Sequence, residues 1–161
     1  MADIQDTAPV MAAKVALART VALSSGRAGH GGTTLPGRVV RSVDPGIIGR
    51  LSARLKEGCL VVSATNGKTT TCAMIAGILA EAGLKVARNR EGANLAAGVA
   101  TALLKDTGFN GRLRSDIGLY ETDEAVFPEV AVQGQPRAVL LMNLFRDQLD
   151  RYGELESIAG K

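Results

Sequence analysis

Residues Cys59 to Ala80 read CLVVSATNGKTTTCAMIAGILA. The first six residues, CLVVSA, have the length and apolar content of a buried strand. Residues 68–83, KTTTCAMIAGILAEAG, have the content of a helix that stops at Gly83. Between them, Asn66-Gly67 makes a tight turn. A strand that enters a helix through a glycine turn is a setting for phosphate binding. Backbone N–H groups of the turn and of the first helical residues point at the anion, and the helix dipole adds to the attraction. Gly67 lets the backbone approach closely, Lys68 supplies a cation for the β- and γ-phosphates of ATP, and the Thr69 hydroxyl is placed for Mg²⁺. The pattern G-x-x-x-x-G-K-[ST] is not met, because Val62 stands five residues before Gly67. The loop is therefore a shortened variant. The plainer alternative is a helix start whose threonines satisfy its N-terminal N–H groups.

The flanking sequence continues the alternation. KVARN is strand-like, GANLAAGVATALLKDTG is helical, and DIGLYETD is a strand. EAVFPEVAVQ is expected to be a helix broken near Pro128, RAVLLMN a strand, and RDQLDRYGELESIAG the start of a last helix with Asp147 near its N-cap. Alternating strands and helices predict an α/β fold, a parallel sheet with helices on both faces. Upstream, residues 8–24 predict a helix. SGRAGHGGTTLPGRVV (25–40) predicts a loop on its glycines and Pro36-Gly37, and DPGIIGRLSARLKEG (44–58) predicts a helix ending at Gly58. The organisation expected is a helical and glycine-rich region over 1–58 and a nucleotide-binding region over 59–161.

Composition excludes more than it assigns. The 161 residues suffice for about one domain with a buried core. With 3% aromatics, that core must be aliphatic. The net charge of +3 demands no polyanionic partner, and no nucleic-acid role is expected. No apolar run approaches the ~18–20 residues of a membrane span, and the N-terminus lacks the pattern of a secretory signal. Cys59 and Cys72 make no zinc motif and are expected as reduced, core-facing thiols.

Ligands of a parallel sheet gather beyond the carboxyl ends of its strands. ETDE (121–124) ends one strand and NLFRDQLD (143–150) follows another. Glu121, Asp123 and Glu124 could thus face the phosphate loop, where a carboxylate can hold Mg²⁺. An acidic helix start is the alternative for Asp123 and Glu124. Arg88 and Arg90 follow a strand near the site and suit phosphate, a carboxylate or solvent. His30, the sole histidine, lies in the glycine-rich segment, where an exposed loop position is the plainer alternative to catalysis.

At these residues the sequence resembles the Mur ligase family. The family's shortened loop, G-T-N-G-K-T, appears as ATNGKT with Ala64 in place of the first glycine. An E-x-D-E segment follows the third strand as ETDE, and Asn-x-x-x-Asp-His-x-Asp follows the fourth as NLFRDQLD. Five ordered blocks, GGTTLPGRV, ATNGKTTT, EGANLAAGVATALL, ETDEA and NLFRDQLDRYGE, are similar to the MurT-like subgroup.

The resemblance implies a P-loop-type Mur ligase central domain, expected to be incomplete here. It implies an ATP-dependent carbon–nitrogen ligase, the amidating subunit of a glutamine-dependent amidoligase. Its substrate would be lipid II, whose stem-peptide D-glutamate α-carboxylate becomes D-isoglutamine through an acyl phosphate, in peptidoglycan biosynthesis. The ammonia would come from a glutaminase partner of the class I glutamine amidotransferase type. The implied location is the bacterial cytoplasm, at the inner face of the membrane. Carried over by position, Ala64, Thr65, Asn66, Gly67, Lys68, Thr69 and Thr70 form the nucleotide loop, with Asn143 and Asp147 on the floor of the site. Lys68 and Glu121 are the expected catalytic residues. Thr69, Glu121 and Gln148 are the expected Mg²⁺ ligands, with Gln148 standing where the family has histidine. The family's C-terminal domain and the subgroup's four-cysteine zinc ribbon do not occur in these residues, so the chain alone is expected to be inactive. Alternatives are an amino-acid-adding Mur ligase, a folylpolyglutamate synthase, or a truncated nucleotide-binding module without catalysis.

Overall fold

A computed structural model describes residues 7–27, 34–89 and 95–144. Among the described residues, four parallel strands form one sheet: β1 (Cys59–Ser63), β2 (Val86–Arg88), β3 (Ile117–Thr122) and β4 (Ala138–Leu141), in the order β2-β3-β1-β4. Cys59 pairs with Gly118 and Ser63 with Thr122, while Leu60 pairs with Ala138 on the other side. Helices α4 (Lys68–Glu81), α5 (Ala96–Asp106) and α6 (Phe127–Gly134) connect the strands. Helices α1 (Ala8–Arg27), α2 (Leu35–Val43) and α3 (Ile47–Ser52) precede the sheet.

Strand alternation divides the core. Cys59 and Val61 of β1 and Tyr120 of β3 point to one face, where Val99, Leu103 and Leu104 of α5 and Val130 of α6 cover them. Met11, Val15, Val40, Ile48 and Leu51 of the first three helices extend the same cluster. Val62 and Leu119 point to the other face, against Cys72 and Ile75 of α4. Both cysteines are buried and free. β4 lies at a sheet edge, with Val139, Leu140 and Leu141 exposed. Among the described residues, no helix is long and apolar enough to cross a membrane.

Three expectations are corrected. The segment expected as a loop over 25–40 contains the end of α1 and most of α2. Pro36 occupies the first turn of α2, where its missing N–H is no loss. Gly37 marks a close helix crossing rather than a turn: a Cβ there would lie 1.9 Å from the Ala97 carbonyl oxygen of α5. The helix expected over 44–58 is only α3, and the chain then turns through Gly58, at φ +67°, into β1. Pro128 sits in the first turn of α6 and starts that helix instead of breaking it. The helix expected after residue 145 lies outside the described residues.

Candidate functional site

Residues 64–67 leave the carboxyl end of β1 and enter α4. Gly67 has φ +84°, a conformation that an L side chain strains to adopt, and its carbonyl accepts the Thr71 N–H at 3.0 Å to begin the helix. No side chain caps this helix start. Asn66, Gly67 and Thr70 are exposed and form the lip of the loop. The loop is clamped from the end of β4. Thr65 N–H donates to the Asn143 carbonyl and Asn66 N–H to Asn143 Oδ1, both at 3.0 Å, and Asn143 Nδ2 donates to the Asn66 carbonyl at 3.1 Å.

Beneath the lip, charged groups converge. Thr69 Oγ1 donates to Glu121 Oε1 at 2.8 Å. Glu121 is 4% exposed, and its second oxygen, Oε2, is buried without a hydrogen-bond partner among the described residues. Thr65 Oγ1 donates to Glu124 Oε1 at 2.6 Å, and Glu124 Oε2 is likewise buried and unpartnered. Lys68 is buried, with Nζ donating to the carbonyls of Ala64 and Thr65 and lying 3.5 Å from Asp123 Oδ1. A buried ammonium needs such partners. The lysine expected to reach outward to phosphate is thus turned back onto its own loop.

Arg88 extends from β2 and donates from Nη2 to the Thr69 carbonyl at 3.4 Å. Cys72, one turn into α4, lies in the same field. Burial first, and then the Glu121 charge, push its thiol up to about 11 against the opposing pull of Arg88. Among the described residues, no three His, Cys, Asp or Glu side chains form a group that could hold a metal ion. Of the expected Mg²⁺ ligands, Thr69 and Glu121 stand side by side, and Mg²⁺ ordinarily completes its shell with water and phosphate oxygens.

Ala64, Thr65, Asn66, Gly67, Lys68, Thr69, Glu121, Asp123, Glu124 and Asn143 thus lie together at the carboxyl end of the sheet. Asp147, Gln148, His30 and Arg90 lie outside the described residues. Sequence reasoning passed over Asn89, which is 1% exposed and hydrogen-bonded to the Glu121 backbone. An asparagine directly after a short strand was the available signal.

Fold and site together define a parallel α/β architecture in which β1 enters α4 through a glycine turn at the carboxyl end of the sheet. Residues 62–161 match the Mur ligase middle domain, and the chain belongs to the Mur ligase family. Over 140 residues it is 35% identical to the MurT subunit of lipid II isoglutaminyl synthase (glutamine-hydrolyzing) from Staphylococcus aureus strain COL, covering 87% of this chain and 31% of that protein. The MurT subunit from Streptococcus pneumoniae is 37% identical over 146 residues, covering 86% of this chain and 32% of that one. The chain therefore spans about a third of the length of these relatives. The fold is similar to that of the MurF ligase from Thermotoga maritima, solved in complex with ADP, with a TM-score of 0.61 and 19% identity over 74% of this chain and 28% of that one.

Proposed function

We propose that this chain supplies the ATP-binding part of a MurT-like amidoligase, which amidates the D-glutamate α-carboxylate of the lipid II stem peptide. Residues 59–161 would form the nucleotide-binding part and residues 1–58 its helical approach. The observation that carries this proposal is the convergence of Lys68, Thr69 and Glu121 at the carboxyl ends of β1 and β3. The identity to MurT subunits over most of the chain supports this choice of substrate class.

The chemistry requires activation of a poor electrophile. A substrate carboxylate oxygen attacks the γ-phosphorus of ATP, the bond to ADP breaks, and an acyl phosphate forms. Ammonia from a glutaminase partner then attacks the acyl carbon, and phosphate leaves with the C–O electron pair. Loss of a proton from nitrogen leaves the neutral amide. In both steps, charge on the phosphoryl oxygens must be screened. Loop N–H groups and the start of α4 suit the phosphates. Lys68 would exchange its carbonyl and Asp123 contacts for phosphate oxygens. Glu121 and Thr69 suit Mg²⁺, because the carboxylate keeps one buried oxygen unpartnered beside a hydroxyl. When bound, the ion would neutralise phosphate charge. The reaction would run in the bacterial cytoplasm, at the membrane face where lipid II presents its stem peptide.

Calorimetric titration of ATP into the chain, with Mg²⁺ and with EDTA, tests the binding step. Saturable binding that weakens in EDTA is expected. A folded chain that binds no nucleotide overturns the proposal. For the reaction, the longer MurT-like gene product containing these residues is incubated with a glutaminase subunit, glutamine, ATP and lipid II. Mass spectrometry should then find the amidated stem peptide.

A further inference from the structure

β2 ends at Arg88, whose ladder partner is Leu119, while β3 continues through Glu121 to Thr122. In a parallel strand, alternate residues direct both N–H and C=O to the same neighbour. Gly118 N–H donates toward β1, to the Gly58 carbonyl at 3.0 Å, and Ile117 N–H donates toward β2, to the Lys85 carbonyl at 3.2 Å. The backbone of Glu121, four residues after Ile117, therefore faces the β2 side at a level where β2 has ended. Asn89 meets it with a side chain. Glu121 N–H donates to Asn89 Oδ1 at 2.9 Å, and Asn89 Nδ2 donates to the Glu121 carbonyl at 2.7 Å. A carboxamide carries one donor edge and one acceptor edge in a single plane, so it reproduces the missing strand edge.

We infer that Asn89 is a positioning residue for the Glu121 carboxylate, and through it for the divalent cation. The role of the cation rests on the function proposed above. The carboxamide holds the backbone of Glu121, and Thr69 holds Oε1 of its side chain. Together they leave Oε2 buried and, among the described residues, unpartnered. Removing the carboxamide leaves a buried N–H and C=O without this partner, and the end of β3 must shift to find others.

Two variants, Asn89→Ala and Asn89→Asp, test the inference in the isotopically labelled chain. The alanine variant removes both hydrogen bonds. The aspartate variant keeps an acceptor for the Glu121 N–H but sets a carboxylate against its carbonyl. Amide exchange by NMR should show Glu121 protection falling about 10-fold or more in the alanine variant, while β1 amides keep theirs. In both variants the Mg²⁺ concentration for half-maximal ATP binding should rise about 10-fold, with ATP affinity in EDTA unchanged. A purely structural role would instead lower the protection of the whole sheet and weaken binding equally with and without Mg²⁺. That outcome overturns the inference, as does unchanged Glu121 protection in the alanine variant. If the wild-type chain binds no Mg-ATP, the proposed function fails on its own, and Glu121 exchange still decides whether Asn89 holds this residue.

Discussion

The Thr69 hydroxyl, in the first turn of α4, donates a 2.8 Å hydrogen bond to Glu121 Oε1 at the end of β3. Fifty-two residues of sequence separate the two. Their contact joins the start of α4 to the neighbouring strand of the sheet and leaves the second Glu121 oxygen buried without a partner among the described residues. Glu121→Gln keeps the shape and the oxygen that Thr69 needs but removes the charge. We predict a rise of about 10-fold in the Mg²⁺ concentration required for ATP binding, with affinity in EDTA unaltered. Unchanged Mg²⁺ dependence would assign the cation to another carboxylate.

Lys68→Ala tests the cation of the loop. Hydrogen bonds to charged groups contribute about 1.5–3 kcal/mol, so Mg-ATP affinity should fall roughly 10- to 100-fold. Calorimetry with both proteins measures it, and equal affinities would remove Lys68 from phosphate binding. The lysine also sits 3.5 Å from buried Asp123, so a fall in Tm should accompany the loss of affinity.

Asn143 holds Asn66 by hydrogen bonds in both directions. Asn143→Ala removes both while keeping the backbone contact to Thr65. Each such bond contributes about 0.5–1.5 kcal/mol, and a loop less well ordered should bind ATP about 5- to 10-fold more weakly. Faster exchange of the Asn66 amide is expected in the same variant. Unaltered affinity would mean that the loop holds its shape without β4.

Gly37→Ala tests the crossing of α2 and α5. The added methyl would meet the Ala97 carbonyl at 1.9 Å and Thr101 Oγ1 at 2.6 Å, and the latter accepts the Gly37 N–H at 2.8 Å. Overpacking of this kind destabilises by about 1–3 kcal/mol, and contact with the Ala97 backbone favours the upper end. Urea unfolding measures it, and an unchanged midpoint would contradict so close a crossing.

Burial pushes the thiols of Cys59 and Cys72 from the ordinary 9.0 up to about 11. Both should resist iodoacetamide at pH 8 in the folded chain and react in urea. The linkage follows from the direction of the shift. Below about 9 both states keep their thiol protons and the contribution is whole. Between about 9 and 11 only the unfolded chain loses them, so stability falls as pH rises through that window. Replacing both cysteines with alanine should flatten this slope, and a slope that persists would place its origin elsewhere.

Residues 59–89 were legible because strand, glycine turn and helix are local patterns, written within a few residues of one another. The parallel sheet and the family likeness followed from the same periodicity and from ordered blocks such as ATNGKTTT and ETDEA, while the strand order β2-β3-β1-β4 emerged only in the fold. Helix α2 was misread because Pro36-Gly37 has two meanings. Its local chemistry fits a turn, and only the approach of α5 shows that the glycine makes room for another backbone. Asn89 was passed over for the same reason. Its value lies in a gap beside Glu121 that exists only once β2 stops short of β3. The inward turn of Lys68 toward Asp123, and the clamp of Asn143 on Asn66, also join residues that lie beyond the ends of separate strands. Local sequence sets backbone preference and periodicity, which decided the elements and their alternation. Partnerships between distant polar groups depend on where strands end and how closely helices cross, and only the folded chain decides those.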